Sequence, residues 1–524
     1  MIHGVVAAAA AAAMQPNPIA NERIDQRPPA TRLTPPPPRP RPTVAPSGAE
    51  TVIKTIKFDG VEAPNVVAAA AAPFVGRPAT HDTLIALAGA LSDAYERSNV
   101  ALYTVSIPDQ DFADGVVVVD LAEGWVDSIA VKNANPKAFP LLTARASKLV
   151  GEKPLSRAHY ERQSSLIQSI PGLKLDASFE NPEGDDSVQL VLTPHQKRAE
   201  AAFGVNNRGP HLLGDLVMQG GLDFYRLLTD GDRLSFSGYG TFDLKHYRAA
   251  DAAYAVPLGI DGMTLTATGG WLRTKARHID IRGTAKFAGL TLTYPLLRRA
   301  RQAADVSFAV DGVNSNNALF GNVFATERSR AARLAGSFVA ASERHNFRAS
   351  VALSRGLDIF NPNAGDTDGE VGFTKVNASA ALETLLAARL LGRVQGVLQY
   401  SGDRLPAAEL MSAGGADLGR AFDTGIVTGD KGIGGLVELA YQPVRAADFD
   451  KSEVYLFADA ADVTVHRRLG FPRQSFSLAS AGGGVRARYK DRMQLGVEGA
   501  AVLNRPYSAY TKNVRASVYY TVQF

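Results

Sequence analysis

A two-residue alternation that runs through everything after about Ala201 constrains this chain more than any other feature. At the very end, "KNVRASVYYTVQF" places Val514, Ala516, Val518, Tyr520, Val522 and Phe524 on one side. Asn513, Arg515, Ser517, Tyr519, Thr521 and Gln523 fall on the other. Strand side chains alternate faces, so this is a ribbon with one apolar and one polar surface. "RLSFSGYGTFDL" sets Leu234, Phe236, Phe242 and Leu244 against Arg233, Ser235, Ser237, Thr241 and Asp243. "MTLTATGGW" sets Met263, Leu265, Ala267 and Trp271 against threonines, Val306, Phe308 and Val310 share a face, and so do Phe347, Ala349, Val351 and Leu353. Pieces such as "TDGD", "GIDG" and "DGVNSNN" separate these runs as turns. About 325 residues at roughly 20 per strand and turn give ~16 strands, an even number suited to a closed transmembrane barrel. A soluble sandwich would cover the apolar face with a second sheet and a barrel would give it to lipid; alternation alone allows both.

Composition removes several other classes. With 45% hydrophobic and 21% charged residues over 524 positions, the chain can bury ample core. The 56 Lys and Arg against 52 Asp and Glu leave a net charge of +4 without a basic block, which gives nucleic-acid binding little support. There is no cysteine, so disulfide frameworks, thiolate metal sites and Cys nucleophiles are excluded. The mean hydropathy of -0.07 resembles that of a soluble protein. Alternating strands cancel their own hydropathy, however, so a membrane barrel stays open.

The N-terminal part is organised differently. "MIHGVVAAAAAAAMQPNPIA" reads as a secretory leader over residues 1–14, with an apolar run from Val5 to Ala13 and His3 where a Lys or Arg is usual. Residues 15–50 are expected to hold a short polar helix around "NERIDQR" and then a proline-rich spacer, since prolines propagate neither helix nor sheet. From Thr51 a strand, helices and two strands follow: "TVIKTIKFDG", a helix over 82–97 with Leu84, Leu87, Ala88, Leu91 and Tyr95 on one face, "ALYTVSIP" and "DGVVVVDLAEG". The order recurs in "WVDSIAV", "KAFPLLTARASKLVG" with "SRAHYERQSSLIQSI", "GLKLDASF" and "DSVQLVLTP". Two tandem α+β units are therefore expected, at 51–132 and 133–198, with a barrel over 199–524.

These segments resemble the haemolysin secretion/activation (ShlB/FhaC/HecB) family of two-partner secretion transporters, relatives of the BamA insertases. "YTVSIPDQDFADGVVVVDLAEG" is similar to that family's first POTRA (polypeptide-transport-associated) domain, with Ile107, Pro108, Gln110, Glu123 and Gly124 in its motif positions. "PLSRAHYERQSSLIQSIPG" matches the second POTRA through Arg157, Glu161, Arg162, Pro171 and Gly172. "GVNNRG" resembles the first barrel strand, and "SAGGADLGRAFDTGIVTGDKGIGGLVELAY" the loop that folds into the barrel. The loop's Arg-Gly-Phe/Tyr core stands here as Arg420, Ala421 and Phe422, and a strand motif of Asp then Gly stands as Asp459 and Ala461.

The resemblance implies a mainly β fold: a transmembrane barrel of about sixteen strands preceded by two periplasmic POTRA domains. It implies an outer-membrane pore, acting as a monomer among lipid, that captures a large exoprotein through its POTRA domains and exports it without ATP. A BamA-type insertase is the alternative. The transport-critical residues implied are Arg420, Phe422, Asp423 and Asp430 in the loop and Asp459 on a barrel strand, with an Arg420–Asp459 pair, and in relatives the N-terminal helix plugs the pore. Enzymatic motifs are absent: there is no P-loop, no HExxH and no Gly-x-Ser-x-Gly. No cofactor and no metal is expected, because the nine histidines lack ligand spacing. Gly482 to Gly484 read as a tight barrel turn, and Asp462, with Asp459, as an ordinary lumen charge.

Overall fold

The computed structural model describes residues 39–524 apart from 134, 182–185, 320–321, 445, 450 and 491. The leader and the short helix expected before residue 39 lie outside the described residues. The chain divides into two compact units, the α+β region and the barrel.

In the α+β region the first sheet has the strands Thr55–Gly60, Val116–Glu123 and Tyr103–Ile107 in that spatial order. Helices α1 (Asn65–Ala71) and α2 (His81–Arg97) lie between the first strand and the other two in sequence. Thr80 caps α2 by accepting from the Thr83 N–H, satisfying one of the donors every helix start leaves free. Leu84, Leu87, Ala88, Leu91 and Tyr95 are all fully buried on one face, as their spacing requires. A fourth, two-residue strand, Thr43–Val44, extends this sheet from within the stretch expected to be only a spacer. The second sheet orders Trp125–Val131, Ser187–Gln196 and Leu173–Glu180, with α3 (Pro140–Ser147) and α4 (Arg157–Gln168) between the first and last of these in sequence. Because Trp125–Val131 pairs in parallel with Ser187–Leu192, the change from first to second unit falls at Gly124 rather than at 132.

The barrel closes with the sixteen strands expected. They are β1 (Ala199–Asn206), β2 (Val217–Tyr225), β3 (Arg233–Thr241), β4 (Tyr247–Leu258), β5 (Met263–Lys275), β6 (Ile281–Arg298), β7 (Gln302–Leu319) and β8 (Asn322–Ala341). Then follow β9 (His345–Gly356), β10 (Thr374–Ala387), β11 (Leu390–Tyr400), β12 (Lys431–Tyr441), β13 (Glu453–Val465), β14 (Gln474–Tyr489), β15 (Met493–Asn504) and β16 (Val514–Gln523). Closure is completed by β16 against β1, Tyr519–Gln523 pairing with Ala202–Asn206. A closed barrel leaves no strand edge unpaired, which the bilayer interior demands.

The apolar side of the alternation is the outer one. Phe308, Val351, Leu353, Val514 and Val518 are exposed, while Ser307, Ser354 and Ser517 are buried. Three expectations are corrected. Strand β3 ends at Thr241, and Phe242 and Leu244 belong to a tight turn in which Leu244 takes a positive φ of 51°. Gly482, Gly483 and Gly484 lie in the middle of β14 rather than in a turn. A Cβ on Gly484 would meet the Tyr455 hydroxyl at 2.7 Å and one on Gly482 the Gly499 carbonyl at 2.1 Å, so the glycines make room for a lumen side chain and a neighbouring strand. Asp462 is an even-numbered position on a strand whose odd positions face inward, and it lies on the exposed side, bound by the Ser477 hydroxyl at 2.6 Å.

Candidate functional site: a loop folded into the barrel

Between β11 and β12 the chain does not cross directly. Residues 401–430 turn back into the barrel and form a short hairpin, Met411–Ala413 against Val427–Gly429. Its apolar side chains explain why it stays inside: Met411, Leu418, Phe422 and Val427 form one buried cluster with Tyr455, Phe457, Ala461, Val463 and Leu478 of the barrel wall. Phe422 is fully buried, its ring 5.3 Å from that of Tyr510. Gly419 takes a positive φ of 72°, and a Cβ there would meet Leu478 at 2.7 Å, so glycine is required at this position of the tip. Ala421 has no such φ, which is why alanine fits where the resembled motif has glycine.

Asp459 meets the tip, but not as an ion pair. Its two oxygens accept from the backbone N–H groups of Gly419 (2.9 Å) and Arg420 (3.1 Å), and Oδ1 also accepts from the Ser480 hydroxyl at 2.6 Å. The expected guanidinium–Asp459 pair is therefore corrected. Arg420 instead sends Nη1 to Glu438 (3.1 Å) and Glu498 (3.2 Å), donates from Nε to the Ala416 carbonyl at 3.2 Å, and lies over the Phe457 ring. The strand places Asp459 opposite the tip backbone, and the arginine, pointing along the lumen, finds other carboxylates.

Those carboxylates belong to a network the sequence reading missed. Glu438 on β12 is gripped by both terminal nitrogens of Arg486 (2.7 and 2.6 Å) and by Arg393 at 2.9 Å. Glu453 on β13 takes Arg393 (2.6 Å) and Arg486 (3.1 Å), and Glu498 on β15 takes Arg208 and the Tyr455 hydroxyl, the latter at 2.8 Å. Arg486 also stacks on Tyr455 at 3.7 Å. Charges taken from water need partners of opposite sign and satisfied donors, and here each carboxylate serves more than one guanidinium or hydroxyl. Alternation shows which residues face inward but not which of them meet across a closed barrel.

The other loop residues are also anchored. Asp423 binds Lys512 (2.9 Å) and Arg515 (2.7 Å), and Arg515 donates to the Phe422 carbonyl at 3.0 Å. Asp430, fully buried, accepts from the backbone N–H groups of Leu405 and His466, both at 2.7 Å, and from Arg468. His211, Asp215 and Asp423 bring potential ligand atoms within 4.8 Å of one another, but Asp423 is already engaged by two cations, which oppose a third. At the loop's stem the fully buried Glu409 accepts from Arg333 (2.9 Å) and Lys375 (2.8 Å), and Arg333 is held as well by Asp311. A cavity of about 850 Å3 remains in the lumen between the loop and the wall, with Arg208, Arg420, Arg486 and Glu498 on its lining.

The POTRA motif residues have structural places. Ile107 is buried, and Gln110, two residues beyond Pro108, pairs its amide with both backbone groups of Val118 (2.8 and 2.7 Å), as an adjoining strand would. A Cβ on Gly124 would meet the Asp186 carbonyl at 3.1 Å, and Gly172 takes a positive φ of 69° after Pro171. Glu161 is buried on α4, which also carries Arg157 and Arg162, and the Arg157 N–H donates to the Asn99 carbonyl at 2.7 Å. Glu123 is half-buried, and desolvation pushes its carboxyl above the ordinary range.

A closed barrel, apolar outside and ion-paired inside, preceded by two small α+β units, defines a POTRA-bearing outer-membrane protein. The chain belongs to the haemolysin secretion/activation protein ShlB/FhaC/HecB family, whose model matches residues 184–487, and a ShlB-type POTRA domain matches residues 51–124. It is 24% identical over 388 residues to the outer membrane transporter CdiB of Escherichia coli, covering 69% of this chain and 63% of that relative. The chain thus matches less than two thirds of that relative's length. The solved structure of CdiB from Escherichia coli superposes with a TM-score of 0.66 at 18% identity, covering 91% of both chains. CdiB from Acinetobacter baumannii gives 0.61 at 15% identity (92% of this chain, 91% of that one). BamA from Haemophilus ducreyi lacking POTRA domains 1-3 gives 0.57 at 15% identity (91% of this chain, 100% of that one). The family and the barrel place the chain in the outer membrane, with its POTRA domains in the periplasm.

Proposed function

We propose that this chain exports a large partner exoprotein, of haemolysin or adhesin type, from the periplasm to the cell surface. The POTRA domains capture an extended segment by strand addition, in which backbone hydrogen bonds give affinity and alternate pockets give selectivity. Folding of the exported chain outside draws transport forward without ATP.

The carrying observation is how the loop tip is held. When Arg420 withdraws, Glu438 keeps Arg393 and Arg486, and Glu498 keeps Arg208 and Tyr455. Neither Glu438 nor Glu498 is left unpaired when Arg420 withdraws, so the large penalty for an unpaired buried charge does not arise at those two residues. Asp459 then acts as a latch that selects the inward tip by accepting two backbone N–H groups. Such a loop can leave the lumen and return, as a gated pore requires.

The experiment is co-expression with a candidate haemolysin- or adhesin-type exoprotein, reading surface delivery by protease accessibility. Deleting residues 51–198 should leave an inserted barrel that exports nothing; normal export by the truncated chain overturns the capture role. The BamA-type reading is supported by the BamA superposition alone. It would be favoured if depletion of this chain lowered assembled outer-membrane porins.

A further inference from the structure

The edge strand of the first sheet, Tyr103–Ile107, is already partly occupied. Thr43 and Val44 run parallel to it opposite Ser106 and Ile107, and the Ala45 N–H donates to the Ile107 carbonyl at 2.9 Å. Val44 packs against the core of that unit. Upstream, the Arg39 guanidinium reaches Asp93 and, at 3.5 Å, Glu96 on α2. Residues 39–45 therefore cover both the sheet edge and the neighbouring helix.

This cover is built to be weak. Pro42 precedes the paired residues and Pro46 follows Ala45, and a proline offers no N–H to a ladder. The register consequently reaches only Ser106 and Ile107 of a five-residue strand. Arg39 and Asp93 keep about half of their side-chain surface in water (48% and 53%), where an ion pair contributes little. Without the cover, the strand would present an edge that templates another chain.

We propose that residues 39–45 are a resident strap on a strand-addition site, displaced when an extended segment of the exported polypeptide pairs along Tyr103–Ile107. The proposal rests on the secretion reading. The segment the site fits is free of proline over five residues and carries a β-branched residue in the place of Val44. It also has a Lys or Arg about five residues earlier to meet Asp93 and Glu96. The strap is tethered and so enjoys a high effective concentration; a competitor must win through a longer ladder. The strap thus sets a threshold that incidental short segments do not pass.

Because the chain has no cysteine, Thr43→Cys with Ser106→Cys makes a single disulfide pair. In full-length protein this pair should close under mild oxidation, and the oxidised form should export at least ten-fold less than the reduced form. Each single-cysteine chain should be indifferent to oxidant. A fluorescent synthetic peptide of residues 39–48 with both Pro42→Ala and Pro46→Ala should bind the full-length Val44→Asp variant at least ten-fold more tightly than the oxidised double-cysteine chain. Failure of the disulfide to form, undiminished export by the locked chain, or equal peptide binding to the two chains overturns the strap. If the peptide discriminates but the unmodified chain exports nothing, the strap stands as a covered edge and the secretion reading falls.

Discussion

The two ends of the inward loop are both held by buried charge, yet in opposite ways. At the stem, Glu409 is fully buried and serves two fully buried cations, Arg333 and Lys375. At the tip, Arg420 keeps about a tenth of its side-chain surface in the lumen and shares carboxylates that other cations already hold. Withdrawing Glu409 would take a shared carboxylate from two dry cations, of which Arg333 keeps Asp311, whereas withdrawing Arg420 leaves Glu438 and Glu498 with other partners. The stem is thus the drier anchor and the tip the more readily reversed contact, and the difference lies in burial rather than in the number of ion pairs.

The largest test of this contrast is Glu409→Ala. Removing one partner from a buried cluster costs about 3–5 kcal/mol, so barrel abundance and heat-modifiable mobility should both fall, and export with them. Asp459→Ala comes next. It deprives two backbone N–H groups and the Ser480 hydroxyl of their acceptor, at about 1–3 kcal/mol in all, because the opened tip turns its N–H groups to lumen water. The barrel should persist while the tip becomes open to protease and export drops sharply; an unaltered tip would remove the latch. Arg420→Ala should cost less still, about 1 kcal/mol of barrel stability, because water from the lumen replaces it and its carboxylates keep other partners. Export should fall while heat-modifiable mobility stays normal. The reciprocal swap Arg420→Asp with Asp459→Arg should rescue nothing, since the two residues meet through the backbone of one and the side chain of the other.

The smallest effect lies in the α+β region, where a carboxyl is desolvated and raised rather than paired. Folding disfavours the ionised form of Glu123, so the unit carries a penalty at pH above the ordinary glutamate value of 4.5, and this penalty is relieved as pH falls toward it. Glu123→Gln should therefore raise resistance of the region to thermal proteolysis at neutral pH. The gain should shrink toward pH 4, and a gain constant across that range would assign it to packing instead.

Much of this architecture could be read from the chain alone, because its signals are local. Alternation in β7, β9 and β16 shows which residues meet lipid, the spacing of Leu84, Leu87, Leu91 and Tyr95 defines a helix face, and the run from Ser412 to Tyr441 marks the inward loop by resemblance. Local pattern also misled where a strand and a turn share residues, as at Phe242 and Leu244, and where three glycines stand inside β14. What the sequence by itself determined was the period of each element, since side-chain direction follows from backbone geometry within a few residues. Only the tertiary structure decided the pairing inside the lumen: Arg420 with Glu438 and Glu498, Asp459 with two backbone N–H groups, Glu409 with Arg333 and Lys375. Arg420 and Glu498 are 78 positions apart and Arg333 and Glu409 76, and barrel closure and the path of one loop bring them together. The energy of such charges depends on who else shares the dry interior, and no local pattern records that.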